Sequence, residues 1–159
     1  MNKRTLPPKL SSDAIITYKD AIRKMEHISD YDQEVIILIT VNSDNRIIGE
    51  HLISIGTMDE ALLDYRILLN RIISDKASGF IIGHNHVNGV SFFSYDDFMS
   101  AARLKYISII MGLDFMDELL FANGRSPACM SQRHPKFWNR NFYVNFEENI
   151  KKYIPKIKG

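Results

Sequence analysis

Phe80-Ile81-Ile82-Gly83-His84-Asn85-His86, followed after a loop by Ser94-Tyr95-Asp96-Asp97, decides how this chain is read. Phe80-Ile81-Ile82 is short, apolar and β-branched, and reads as a strand. It runs directly into two histidines spaced i, i+2. In extended backbone such a pair points to one side, so both imidazoles can reach one metal ion. His84 to Phe93, with Gly89, reads as a loop. Ser94-x-x-Asp97 before an apolar helical stripe (Phe98, Ala101, Ala102, Ile109) reads as a capping box, with Ser94 as N-cap and Asp97 in the first turn. That reading alone leaves neither residue a chemical task. The two readings are compatible, because a carboxylate fixed in the first turn of a helix beside the loop supplies a third ligand. Two histidines and one carboxylate leave a fourth position for water, the composition of a catalytic rather than a structural zinc site. Cys129 is the only cysteine, so a closed thiolate site is excluded.

Working outward, Val35 to Val41 is an uninterrupted β-branched run and reads as a central strand buried on both faces. Asn42-Ser43-Asp44-Asn45 is a turn signal, and Arg46 to Ile55 a second strand forming a hairpin with the first. Ile15, Tyr18, Ile22, Met25 and Ile28 recur at helical spacing, with Ser11-Ser12-Asp13 as N-cap candidates. A second helix starts at Asp59 and carries Leu62, Tyr65, Leu69, Ile72 and Ile73. Gly112 is the C-cap residue of the helix begun at Ser94. Phe115 to Ala122 reads as a fourth strand and Asn123-Gly124 as a turn. Asn141 to Ile154 reads as a final helix. The order helix, strand, strand, helix, strand, helix, strand predicts an α/β domain with a mixed sheet flanked by helices.

The chain has 159 residues, 45% hydrophobic and 25% charged, with a formal net charge of +1. This is ordinary globular usage for one domain and excludes overall disorder. No apolar stretch approaches the ~20 residues a bilayer span needs, and the basic N-terminus lacks the apolar core of a secretory signal. One cysteine and no internal disulfide fit a cytoplasmic setting. The charge is unevenly placed: residues 1–124 carry a net −5 and residues 125–159 a net +6. The expected organisation is an N-terminal extension (1–10), a domain (11–131) and a basic, aromatic C-terminal extension (132–159).

His-x-His followed by Ser-x-x-Asp at this spacing is the signature of the JAMM, or MPN-plus, metalloproteases. More closely, the chain resembles the bacterial RadC family of JAB-domain proteins. That family carries Gly-or-Val-His-Asn-His-Pro-Ser-Gly, which stands here as Gly83-His84-Asn85-His86-Val87-Asn88-Gly89. Arg46-Ile47-Ile48-Gly49, Ser54-Ile55-Gly56-Thr57, Arg103-Leu104-Lys105 and Leu113 to Phe121 extend the resemblance over residues 12–131. It implies the JAB/MPN fold with deaminase-like layering, and one Zn2+ per chain on His84, His86 and Asp97. It also implies a general base at the start of the first long strand, where Glu34 stands. Composition and spacing alone leave Glu50, Glu60, Asp117 and Glu118 as rivals for that role, and an exposed strand-edge carboxylate as the alternative for Glu34. Val87 and Asn88 replace the family's Pro and Ser, so the loop loses the rigidity of proline. The residues before Glu34 are too few for the family's N-terminal helix-hairpin-helix region together with the first helix.

The implied activity is hydrolysis of a peptide or isopeptide bond in a peptide or protein substrate. Zinc activates water, Glu34 acts as general base and the Ser94 hydroxyl supports the oxyanion. Two alternatives accompany it. One is a DNA-associated repair or nuclease-like accessory, because basic residues in 125–159 interleave with Phe137, Trp138, Phe142, Tyr143, Phe146 and Tyr153. The other is a non-catalytic JAB scaffold. His27, His51 and His134 read as surface or half-buried residues, and Cys129 has no histidine pattern that argues for a nucleophile.

Overall fold

The structure is a computed structural model that describes residues 14–15, 17–56, 63–142, 145 and 148. Its elements are α1 (Tyr18–Met25), a 3-10 turn (Glu26–Asp30), β1 (Val35–Val41), β2 (Ile47–Ile55), α2 (Tyr65–Ser74), β3 (Gly79–His86), α3 (Tyr95–Met111) and β4 (Asp114–Ala122). Then follow β5 (Ala128–Cys129), α4 (Met130–Arg133), α5 (Pro135–Trp138) and a 3-10 turn (Arg140–Phe142). The sheet order is β2-β1-β3-β4-β5. All pairings are antiparallel except β3 with β4, which run parallel and are joined through α3. The expected mixed α/β sheet is thus observed.

β1 is central and all seven of its residues are buried, as its β-branched run requires. Its alternate residues feed two cores. Val35, Ile37, Ile39 and Val41 pack with Ala21 and Met25 of α1 and with Ile28. Ile36 and Leu38 pack with Leu68 and Ile72 of α2 and Leu104 of α3. The sheet therefore has α1 on one face and α2 and α3 on the other. Gly83 lets α1 approach closely: a Cβ there would lie 2.7 Å from Ile28 Cδ1 and 2.8 Å from Met25 Cε. In the β1–β2 turn, Asn42 Oδ1 accepts from the backbone N–H of Asp44 and Arg46, and Asn45 takes φ 58°. Gly112 ends α3 in the left-handed conformation expected of a C-cap glycine.

Several boundaries differ from the sequence reading. β3 continues through His84, Asn85 and His86, which pair with β1 or β4, so the loop begins at Val87. The first helix starts at Tyr18, where Thr17 and Asp20 form a reciprocal capping box; Ser11, Ser12 and Asp13 lie outside the described residues. The second starts at Tyr65 with Asp64 as N-cap, and Asp59 and Leu62 lie outside them too. β5, α4 and α5 are too short to announce themselves by periodicity. The expected helix over Asn141–Ile154 falls almost wholly outside the described residues, although Asn145 and Glu148 are helical. Among the described residues no helix is long and apolar enough to cross a membrane.

Candidate metal centre

Antiparallel pairing sets the start of β1 beside the end of β3, with Ile36 opposite His84. Glu34 immediately precedes β1 and shares the strand parity of Ile36, so it comes to the face that carries His84 and His86. α3 begins after the loop at this same end of the sheet. Glu34, His84, His86, Ser94, Asp97 and Glu118 accordingly line one cavity of about 560 Å3.

His84, His86 and Asp97 each offer a ligand atom, and these atoms all lie within 4.8 Å of one another. His86 Nε2 is 3.3 Å from Asp97 Oδ2, and His84 Nε2 is 3.9 Å from Asp97 Oδ1. The capping box and the ligand set coexist, as the sequence allows. The Asp97 N–H donates to Ser94 Oγ at 3.1 Å, and the Ser94 N–H donates to Asp97 Oδ2 at 2.6 Å. The cap fixes the carboxylate against the two histidines. Ser94 Oγ accepts there, which leaves its own proton to donate elsewhere.

These residues suit a metal on three further grounds. His86 Nδ1 lies 2.9 Å from the Val90 carbonyl oxygen, which selects the tautomer with Nδ1–H and turns the Nε2 lone pair toward Asp97. His84 Nε2 is buried without an aligned hydrogen-bond partner, although Glu118 Oε1 is 3.2 Å away. The described cavity lining holds four carboxylates (Glu34, Asp96, Asp97, Glu118) and no Lys or Arg. Without a cation these groups shift one another. Burial opposes protonation of His84, but Glu118, Asp97 and Glu34 together raise its pKa. Burial acts to raise the Asp97 pKa, yet His86, His84 and the Ser94 amide hold it down at about 2. Burial raises that of Glu118 against the pull of His84.

Two residues of the site were not singled out by motif. Glu118, on β4 opposite Ile82, was only one of several rivals for the role of base. Asn85, 4% exposed between the two histidines, clasps the segment that carries Glu34. Its Oδ1 accepts from the Val35 N–H at 2.7 Å, and its Nδ2 donates to the carbonyls of Gln33 (3.0 Å) and Tyr31 (3.4 Å). Only the β3–β4 pairing could have revealed Glu118, and only the β1–β3 pairing Asn85.

The other titratable candidates serve packing. His51 Nε2 is 2.6 Å from Asp75 Oδ2, which also accepts from Thr40 Oγ1, tying β2 and β1 to the end of α2. His27 pairs with Glu50 at 3.0 Å, and His134 meets the Phe98 ring edge-on at 4.8 Å. Cys129 is buried, and burial pushes its thiol up to about 12, which is inert. Of the tail aromatics, Trp138 packs on Phe115 and under Lys105 Nζ, and Phe137 packs on Phe98. Tyr143, Phe146 and Tyr153 lie outside the described residues.

The sequence profile of the RadC-like JAB domain matches residues 13–135. A UPF0758 protein of Clostridium perfringens is 33% identical over 93 residues, covering 58% of this chain and 41% of the relative. Another from Desulforamulus reducens is 28% identical over 108 residues, 68% of this chain and 48% of the relative. A third, from Staphylococcus aureus, is 28% identical over 98 residues, 62% of this chain and 45% of the relative. The chain thus spans less than half the length of these curated relatives.

Proposed function

The chain belongs to the RadC-like JAB domain family, and from that premise we propose that it is a zinc-dependent hydrolase of peptide or isopeptide bonds. The observation that carries the reading is the convergence of His84, His86 and Asp97 in a cavity that Glu34 and Ser94 also line. His84, His86 and Asp97 would hold the ion. When bound, zinc supplies Lewis acidity and brings the pKa of a water ligand from ~15.7 to about 7.

The chain's own residues do the rest. Glu34, beside the histidines but outside their ligand set, accepts a proton from the attacking water and delivers it to the leaving amine. The Ser94 hydroxyl donates to the oxyanion of the tetrahedral intermediate. Asp97 stays ionised, its pKa held at about 2 by the neighbouring histidines and the Ser94 amide against the effect of burial, so it would be available as a ligand across the neutral range. Asn85 holds the Glu34 segment against β3. Phe92, exposed on the cavity wall, would border an extended substrate.

The test is cleavage of peptide and isopeptide-conjugate libraries by the zinc-loaded chain, alongside Glu34→Gln. The expected result is cleavage by the wild type, with turnover lost and zinc retained in the variant. A Gln variant as active as the wild type would remove Glu34 from the mechanism. Cleavage of DNA with every peptide library untouched would reject the peptidase reading.

A further inference from the structure

We propose that the cavity takes a substrate segment with a basic side chain, Lys or Arg, close to the scissile bond, and that Asp96 is the residue that reads it. The inference rests on the peptidase reading above and names its substrate class.

The cavity is marked as a site by His84, a residue 8% exposed whose Nε2 is buried there without an aligned partner. Of the four carboxylates on its wall, Asp97 belongs to the group of metal donors and Glu34 has the role of base. Glu118 is 5% exposed and lies 3.2 Å from His84 Nε2. Asp96 has no such task. It is exposed, lines the same cavity and stands outside the group of metal donors. Among the described residues no Lys, Arg or His side chain pairs with it. An acid in the first turn suits the helix dipole, but Asp97 already serves that end of α3.

Charge selects the occupant. No Lys or Arg side chain lines the described cavity. A bound dication balances two of the four carboxylates, and Asp96 is left to the substrate. Such a wall attracts a cation and repels phosphate, so it favours a basic peptide over nucleic acid. Leu63, Val90 and Phe92 add apolar surface to the same cavity. The aliphatic stem of Lys or Arg packs on apolar surface while its charged head meets a carboxylate.

Asp96 also fixes where that side chain belongs. It is the chain neighbour of Asp97, with Cα atoms about 3.8 Å apart. An extended substrate advances about 3.3–3.6 Å per residue, so the basic residue falls within about two positions of the scissile bond.

The experiment measures, by fluorescence anisotropy, the binding of labelled extended peptides to the zinc-loaded Glu34→Gln chain. The peptides differ at a single position, which holds Lys, Arg, norleucine or Glu. The same peptides give kcat/KM on the zinc-loaded wild type. Lys and Arg peptides should bind at least ~5-fold more tightly than the norleucine peptide, the upper range for one solvent-accessible ion pair. Adding Asp96→Asn should bring the preference within about twofold, and Asp96→Lys should turn it toward the Glu peptide. Asp96 is exposed, so both variants should fold, which a thermal melt checks. Equal affinity for the Lys and norleucine peptides before Asp96 is changed, or a preference that survives Asp96→Asn, would overturn the proposal. A single-stranded oligonucleotide whose binding strengthens in Asp96→Lys, with no peptide bound, would assign the cavity to nucleic acid instead. The two levels of inference separate. Cleavage indifferent to the charge of the peptide rejects Asp96 alone, whereas basic peptides held through Asp96 but never cleaved reject the hydrolase and keep the ligand class.

Discussion

Replacing Asn85 by alanine tests how the fold presents Glu34. The side chain is buried and makes three hydrogen bonds to residues 31–35. Tyr31 and Gln33 are exposed, so their carbonyls can turn to water at little cost. Val35 is 0% exposed, and its N–H would lose its partner without access to solvent. Losing that bond costs about 0.5–1.5 kcal/mol, and leaving the buried donor unmet adds about 1–3 kcal/mol. The expected loss is therefore roughly 2–4 kcal/mol, a fall in Tm of about 5–15 °C for a chain of this size. Urea unfolding of the metal-free protein should show a lower midpoint with an unchanged slope. Amide exchange at Val35 should accelerate relative to Ile37. A cost below ~1 kcal/mol, or a Val35 amide still protected, would refute the claim that Asn85 anchors this segment.

Other substitutions and conditions give separate tests. Gly83→Ala should destabilise by about 1–3 kcal/mol, because its Cβ enters the space of Ile28 and Met25; adding Ile28→Val should recover part of the loss in the same urea assay. Ser94→Ala removes the α3 N-cap and should cost about 1 kcal/mol by thermal melt, while peptide turnover falls with zinc still bound. Asp97 in the metal-free protein has a folded pKa of about 2, below the ordinary 3.8. Its stabilisation, roughly 2 kcal/mol, is therefore present above pH 3.8 and lost as pH falls through 2; Asp97→Asn should flatten that part of the acid-unfolding curve. Cys129 should resist thiol reagents at pH 8 until denaturant is added, as its buried, inert thiol requires.

The features legible in the sequence were those decided locally. Val35–Val41 declared a central strand by an apolar run with no polar face, and Ser94 and Asp97 declared a helix start by spacing alone. The pair His84 and His86 needed only strand parity to be placed on one side. Features set by long-range pairing were not legible. Glu118 reaches His84 because β4 runs parallel to β3 in one register, and nothing near Glu118 encodes that register. Asn85 carries no signal of its own in the sequence, because its partners, the Val35 N–H and the Gln33 and Tyr31 carbonyls, lie some fifty residues away in the chain. The first helix was misplaced for a different reason. Thr17-x-x-Asp20 carries its own capping signal, but Ser11-Ser12-Asp13 offered a denser cluster of capping residues upstream. The end of β3 is polar and carries no strand signal of its own, yet His84 pairs with Ile36 of β1 and Leu120 of β4, Asn85 with Phe121 and His86 with Ala122.

The central claim is that His84, His86 and Asp97 together hold a metal ion. The most direct measurement is elemental analysis of the tag-free chain, purified without chelators and dialysed after zinc is offered at neutral pH. The expected result is about one zinc per chain, lost in Asp97→Ala and in His84→Ala while both variants remain folded. A folded wild type that retains no zinc, or an Asp97→Ala variant that retains as much as the wild type, would contradict it. Ser94 and Asp97 would then be left as a helix cap and nothing more.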